Sequence, residues 1–353
     1  KRVVRRRALL FAAWAAACLP AHGQNSTTVP YPERTEVREF IDHLVAGHGF
    51  KRAWLEQAFA QARYSEGAER LTTPALAPPS ALNWVDYRAR NVDDKRIENG
   101  LLFWRTHSRT LARAVQHWNV PAEIIVAILG IETQYGRTTG TFRTLDVLLT
   151  LSFDYTRRAA FYRDELIQFL LLMREQRLDP LAQRGSFAGA LGLPQFMPSS
   201  IRRHAVDFDG DGRIDLSGSV ADAIGSVANF LSTHGWQADL PVQFLARADA
   251  VAHEALRSGI QPAHRWQDVA VHGVMIEHDL PGETKVLLAD LPYFTPDGVE
   301  AIEYRLGTRN FAALLNYNRS YFYAAAVAEL AQELRGRAEP LTPHPAASTA
   351  GHR

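Results

Sequence analysis

Residues 121–136 read Pro-Ala-Glu-Ile-Ile-Val-Ala-Ile-Leu-Gly-Ile-Glu-Thr-Gln-Tyr-Gly. From Ile124 to Ile131 every position is apolar, with Gly130 as the only gap. A bilayer takes about 20 such residues to cross, so the run is too short to span one. It predicts a helix buried on every side, with Pro121 in the first turn, where a missing N–H costs nothing. Glu132 is then a lone carboxylate at the end of an apolar rod. A helix C-terminus disfavours its charge and desolvation disfavours it further, so both push its pKa up. A carboxyl kept protonated near neutral pH is what donation to a leaving group requires. The stretch by itself equally admits a Glu that marks where the helix leaves the core for solvent.

Working outward, 353 residues suffice for two or three domains, and a hydrophobic share of 46% is that of a globular chain. A net charge of +1 argues against a nucleic-acid binder. The single cysteine, Cys18, excludes an internal disulfide and a cysteine-ligated metal. Residues 1–23 have the pattern of an export signal. Lys1, Arg2, Arg5, Arg6 and Arg7 are basic, Ala8 to Leu19 is apolar, and Ala21-His22-Gly23 is a small-x-small cleavage site. The expectation is export to a bacterial periplasm. Cys18 follows three alanines, as a lipidated cysteine of an outer-membrane lipoprotein would. Ala15, where such signals carry Leu, favours the soluble form instead.

Residues 24–34 read as a linker. In 35–120, a helical domain, Phe40, Ile41 and Leu44 form one apolar stripe, and Trp54, Leu55, Ala58 and Phe59 form another. His48-Gly49-Phe50 is the turn between them. Tyr64 to Val92 is Pro-rich and predicts an extended wrap, followed by one long helix from Lys95 to Asn119. Residues 121–240 form the core, with helices over 144–178 and from Ala221 to His234. Residues 241–300 have mixed periodicity and a strand at Thr284-Lys-Val-Leu-Leu-Ala, which predicts a small α/β domain. Residues 301–335 return to the core as a strand, Ala301 to Leu306, and an Ala-rich helix, Ser320 to Leu334. Residues 336–353 are Pro/Ala-rich and predict a disordered tail. The fold class is mainly α, with an α+β insertion.

Three further motifs carry chemistry. Asp207-Phe-Asp-Gly-Asp-Gly-Arg-Ile-Asp215 matches the first half of an EF-hand loop. Asp207, Asp209 and Asp211 fall at positions one, three and five, Gly212 at six, and Arg213 at seven, where the backbone carbonyl ligates. Position twelve, normally a bidentate Glu, is Gly218, and Asp222 is the nearest acid able to close the loop. Four acids in nine residues, with Arg213 as the only nearby counter-charge, favour a structural Ca²⁺ over a solvated Asp/Gly turn. Next, Gly185-Ser-Phe-Ala-Gly-Ala-Leu-Gly-Leu-Pro-Gln-Phe-Met-Pro-Ser199 has three glycines that allow close backbone approach. In it, Ser186 and Gln195 suit sugar hydroxyls and amides. The stretch lacks a phosphate-binding signature, so no nucleotide or other organic cofactor is expected. Last, Asn316-Tyr-Asn-Arg-Ser-Tyr-Phe-Tyr323 sets two amides and three tyrosines at a helix start. That suits sugar stacking and N-acetyl recognition, or equally a capped helix with aromatic core contacts.

Taken in order, Ile131-Glu-Thr-Gln-Tyr-Gly-Arg137, the Ser186–Ser200 stretch, the Asp207–Gly212 loop, Asp222-Ala-Ile-Gly-Ser-Val-Ala-Asn229 and Tyr317-Asn-Arg-Ser320 closely resemble the lytic murein transglycosylase B family. The resemblance runs from about Phe40 to Leu334. It implies a lysozyme-like core between a helical and a β-containing domain, and cleavage of the MurNAc-β-1,4-GlcNAc bond of peptidoglycan. By the same resemblance Glu132 is the single catalytic acid/base. Tyr87, Ser186, Gln195, Tyr317, Asn318 and Tyr323 line the glycan groove, and Asp207, Asp209 and Asp211 match a calcium loop closed by Asp222. Phe230 stands at a groove position that is usually Tyr, and so lacks a hydroxyl.

Ordinary glycosidases need two carboxylates. Downstream of Glu132 the nearest are Asp146 and Asp154. The resemblance implies that neither is required, because the substrate's N-acetyl group assists and the product is a 1,6-anhydro sugar. The rivals are a hydrolytic muramidase using Asp146 or Asp154, and a murein-binding protein without activity. The expected partners are peptidoglycan strands and other murein synthesis or turnover proteins, met by a monomer.

Overall fold

A computed structural model describes residues 29–73, 83–257 and 259–338. Residues 1–23, expected to be an export signal, with Cys18 among them, and the stretch from residue 339 on lie outside the described residues. The end of the expected linker is docked: Tyr31 is buried, and its hydroxyl donates to Asp154 Oδ2 at 2.7 Å. Arg34 Nη1 donates to the other oxygen of that carboxylate at 2.6 Å.

Helices α1 (Thr35–His48) and α2 (Arg52–Ala60) form where the two apolar stripes predict them, parted by Gly49 in the left-handed region at φ 65°. The expected extended wrap instead holds α3 (Glu66–Thr72) and α4 (Trp84–Asn91). Each has a side-chain N-cap. Ser65 Oγ accepts from Ala68 N and Asn83 Oδ1 accepts from Val85 N, satisfying donors the helices leave open. The expected long helix is two, α5 (Asp94–Thr106) and α6 (Ser108–Trp118), broken at His107. The His107 ring lies 4.6 Å from that of Phe103, and α6 turns away to pack on a later helix.

Pro121 is the N-cap of α7 (Ala122–Thr133), one residue earlier than expected. Ile124 through Gly130 are all buried. Each Ile, Val or Leu so enclosed contributes roughly 1.5–3 kcal/mol. The two-residue ladder of β1 (Phe142–Arg143) follows, then α8 (Thr144–Phe153) and α9 (Ala159–Gln176), with β2 (Arg184–Gly185) antiparallel to β1. The helical stretch expected over 144–178 is thus two helices, parted between Asp154 and Arg158. Next come α10 (Pro198–His204) and α11 (Val220–Thr233).

The small sheet comprises β3 (Gln243–Arg247), β4 (His264–Arg265), β5 (Met275–Ile276), β6 (Lys285–Phe294) and β7 (Glu300–Gly307), with short helices α12 (Ala250–Ala255) and α13 (Trp266–Val271) between strands. Its order is β4-β6-β7-β3-β5, antiparallel throughout. Phe294 pairs with Glu300 at the hairpin end, so a boundary at residue 300 would cut a hairpin. Along β6 the alternation of side chains divides two cores. Val286 and Leu288 join a small cluster with Phe244, Val269 and Leu306, while Leu287, Ala289 and Leu291 face the main core. That is why β6 reads as an unbroken apolar run. The chain ends with α14 (Arg309–Tyr317) and α15 (Tyr321–Arg337), the latter running past the expected tail boundary. Helix α7 is enclosed by α5, α6, α11 and α15, which accounts for its apolar surface on every side. Among the described residues no single helix is long and apolar enough to cross a membrane.

Candidate active site

Glu132 lies in the last turn of α7, flanked by protein on most sides while part of it stays open to solvent. Desolvation raises its pKa from 4.5 to about 7, opposed by the hydroxyl of Tyr323. Just beyond it the backbone takes three positive φ angles, 50° at Gln134, 63° at Tyr135 and 89° at Gly136. For the two non-glycine residues this conformation costs roughly 1–3 kcal/mol each. The turn folds Tyr135 back onto its own helix. A side chain at Gly130 would stand 2.5 Å from Tyr135 Oη, and one at Gly100 of α5 would stand 2.4 Å from it. The gap in the apolar run is therefore the seat of a phenol, which donates to Arg96 O at 3.0 Å.

Three tyrosines from three helices gather at Glu132. Tyr87 of α4, Tyr317 at the end of α14 and Tyr323 in the first turn of α15 each have phenol pKa values raised first by burial and then by the Glu132 charge. The rings of Tyr317 and Tyr323 stack, with centroids 6.1 Å apart. Tyr317 Oη donates to Pro194 O at 2.5 Å. Tyr323 Oη is buried against the Glu132 carboxyl, close enough to raise the phenol and lower the acid, but without a hydrogen bond of full geometry.

The small-residue stretch after β2 forms the adjoining wall. Gly185 bridges to Leu191 and Leu191 to Phe196, which folds it into a tight double hairpin. Ser186 Oγ accepts from Ala188 N and Ala190 N, which leaves its O–H to donate. Gln195 sits at φ 51°, and its Nε2 donates to Thr139 O and Gly192 O, which leaves Oε1 to accept. Thr133, a residue the sequence reading passed over, ties this wall to the Glu132 helix. Its Oγ1 donates to Leu193 O at 2.9 Å and accepts from Gly136 N at 3.0 Å. Glu165, buried on α9, was also passed over. It accepts from Ser199 N and Ser199 Oγ and so caps the start of α10. Its signal was weak, because Asp164 stands beside it and only position on the apolar face of α9 sets Glu165 apart.

Asn318, which ends α14, is exposed beside Tyr317. Phe230 departs from expectation. It is only 5% exposed, stacked on His234 at 4.1 Å and edge-on to Tyr317 at 4.9 Å. Rather than facing a ligand it supports the Tyr317 ring from behind, so the missing hydroxyl is replaced by apolar contact. The two alternative carboxylates are engaged elsewhere. Asp146 pairs with Arg143 at 2.8 Å, and Asp154 is held by Tyr31 and Arg34. Neither appears among the influences on Glu132, whose ionisation is set by burial and Tyr323.

In the acidic loop, carboxylate oxygens of Asp207, Asp209 and Asp211 converge within 4.8 Å of one another. Three hard anionic donors at that spacing fit a divalent cation with oxygen ligands such as Ca²⁺. Arg213 follows at the seventh position, its N–H donating to Asp211 Oδ1 at 2.8 Å. Asp222 does not join them. It is buried at 1% exposure, with Oδ1 accepting from Phe208 N and Oδ2 from Asp215 N, both at 2.8 Å. It closes the loop by binding backbone rather than by offering a ligand oxygen. Arg113 is a second counter-charge, stacked over Phe208 at 4.4 Å and donating to Phe208 O. Leu216, just past the acids, accepts from Leu193 N at 2.8 Å and so links this loop to the wall beside Glu132.

The family model described as the transglycosylase SLT domain matches residues 32–332. The membrane-bound lytic murein transglycosylase B of Escherichia coli (strain K12) is 38% identical over 320 residues, covering 89% of this chain and 86% of that protein. The catenated lytic transglycosylase SltB1 from Pseudomonas aeruginosa superposes with a TM-score of 0.79 at 41% identity, covering 87% of this chain and 99% of that one. Escherichia coli Slt35 in complex with calcium gives 0.75 at 38% identity, over 86% and 94%. Pseudomonas aeruginosa SltB3 in complex with NAG-NAM-pentapeptide gives 0.71 at 29% identity, over 87% and 82%.

Proposed function

The chain belongs to the lytic murein transglycosylases of the transglycosylase SLT-domain family, and we propose that it cleaves the MurNAc-β-1,4-GlcNAc bond of peptidoglycan without water, with Glu132 as both acid and base. The observation that carries this is a carboxyl held near neutral pKa by burial and ringed by three phenols, while Asp146 and Asp154, the two alternative carboxylates, are engaged with other partners.

Protonated Glu132 donates to the glycosidic oxygen as the bond from MurNAc C1 to that oxygen breaks, and the GlcNAc chain leaves as an alcohol. The carbonyl oxygen of the MurNAc N-acetyl group bonds to C1 and carries the positive charge. Glu132, now a carboxylate, takes the proton of the C6 hydroxyl, whose oxygen closes on C1 as the N-acetyl oxygen departs. The residue ends protonated, as it began, and the product is a 1,6-anhydro end. Attack within the same sugar ring gains from proximity that a solvent water lacks. The Tyr323 hydroxyl beside Glu132 and the Asn318 amide are assigned to the N-acetyl group, and Ser186 and Gln195 to sugar hydroxyls in the adjoining wall. Tyr87 and Tyr317 form the groove's aromatic surface, with Phe230 behind Tyr317. The strand is proposed to carry its peptide stems, as the ligand of SltB3 does. Action in the periplasm after export is part of the same proposal, as is a structural Ca²⁺ held by Asp207, Asp209 and Asp211 with the Arg213 carbonyl.

Glu132→Gln keeps the shape of the side chain and removes its proton chemistry. The expected result is loss of sacculus lysis with glycan binding retained. Lysis at the wild-type rate would overturn the assignment.

A further inference from the structure

A shallow recess of about 250 Å³ lies beside the β1–β2 ladder, lined by Arg63, Thr141, Arg143, Asp146 and Arg184. Arg143 and Arg184 stand directly opposite each other in that ladder. Like charges so placed repel and weaken a pair of strands. Asp146 neutralises only one of them, pairing with Arg143 at 2.8 Å and accepting from Arg63 N at 3.0 Å. Among the described residues neither Arg63 nor Arg184 has a carboxylate in ion-pair range, so the recess keeps two positive charges in excess. Arg184 is partly fixed, with Nη1 donating to Leu181 O at 3.0 Å, which leaves its other N–H groups to reach outward. A guanidinium held in this way suits two-point binding of a carboxylate.

The place of the recess identifies its occupant. Arg184 is two residues from Ser186. Thr141 is two residues from Thr139, whose carbonyl anchors the Gln195 amide. The two segments touch through their backbones, because a side chain at Gly140 would stand 2.1 Å from Gly185 O. The two segments that line the recess thus run directly into those that carry Ser186 and anchor Gln195. On the substrate proposed above, what projects sideways from a strand along that wall is the peptide on the MurNAc lactyl group, which ends in free carboxylates. We propose that Arg63 and Arg184 bind carboxylates of the peptide stem, so that the enzyme selects peptide-bearing stretches of glycan. This rests on the lytic reading of the groove.

The test compares glycan strands carrying peptides with strands stripped of them by an amidase, using wild type, Arg63→Gln, Arg184→Gln and the double variant. Two charge-assisted hydrogen bonds are at stake, so the double variant is expected to raise KM for peptide-bearing strands roughly tenfold or more while kcat holds. Its kinetics on stripped strands stay at wild type. Calorimetry with a peptide-bearing GlcNAc-MurNAc disaccharide gives the same comparison without turnover, and the affinity lost is expected to shrink as salt rises. An unchanged KM and affinity for the peptide-bearing ligands, or an equal loss on stripped strands, would overturn the proposal. Wild type that binds the disaccharide through Arg63 and Arg184 but cleaves neither strand would overturn the lytic reading and leave the recess standing.

Discussion

Tyr317 and Tyr323 stack with planes 16° from parallel, yet their hydroxyls have opposite fates. Tyr317 Oη is bound to Pro194 O, whereas Tyr323 Oη is buried against the Glu132 carboxyl without a hydrogen bond of full geometry. A buried, unsatisfied hydroxyl lowers stability, and it persists where a ligand or transition state completes it. Tyr323→Phe is therefore expected to leave unfolding free energy within about 1 kcal/mol of wild type, or to raise it, while kcat falls by roughly tenfold or more. Tyr317→Phe strands a carbonyl instead and is expected to cost about 1–3 kcal/mol in urea unfolding. Equal stability losses in the two variants would contradict this division.

The ionisation of Glu132 makes two pH predictions. As the acid, its active form is lost above its pKa, so kcat/KM is expected to fall through about pH 7. Stability follows with the sign set by the same shift. The folded pKa is above the unfolded value of 4.5, so the folded state binds the extra proton. Stability is full below 4.5 and lost as pH rises to about 7. Glu132→Gln escapes that loss, and its unfolding free energy is expected to exceed that of wild type by about 2–3 kcal/mol at pH 8, converging below pH 4.5. A constant difference across that range would place the carboxyl in solvent.

The contact from Leu193 N to Leu216 O joins the acidic loop to the catalytic wall. Gly192 fits there because a side chain would stand 2.6 Å from Leu216 O. Chelation is expected to lower the melting temperature and to speed hydrogen exchange at Leu193 N, because three converged carboxylates repel without a cation. Asp211→Asn should mimic chelation in part. Asp222→Asn is expected to destabilise even in excess calcium, because it weakens acceptors for buried backbone N–H groups. Calcium-insensitive exchange at Leu193 would show that the two loops are independent.

Much of this architecture was legible because it rests on local pattern. The run Ile124–Ile131 is apolar on every side because four helices enclose it, and Glu132 is conspicuous for the same reason. What escaped depends on partners distant in sequence. Ser65 and Asn83 are ordinary N-cap residues, but the prolines near them dominated and hid two helices. Nothing local ends a helix at His107; the Phe103 ring and the packing of α6 on α11 do. Counting carboxylates made Asp222 a ligand, and only the fold turns both its oxygens onto backbone N–H groups. Phe230 looked like a groove residue with a missing hydroxyl, until its burial against His234 and Tyr317 made it a support.

Mass spectrometry of sacculi digested by the purified protein tests the single-carboxyl mechanism most directly. Glu132 acting alone with intramolecular attack predicts 1,6-anhydroMurNAc ends, lighter by one water than reducing ends. Reducing ends as the main product would mean that water is the nucleophile, and that a second group must activate it.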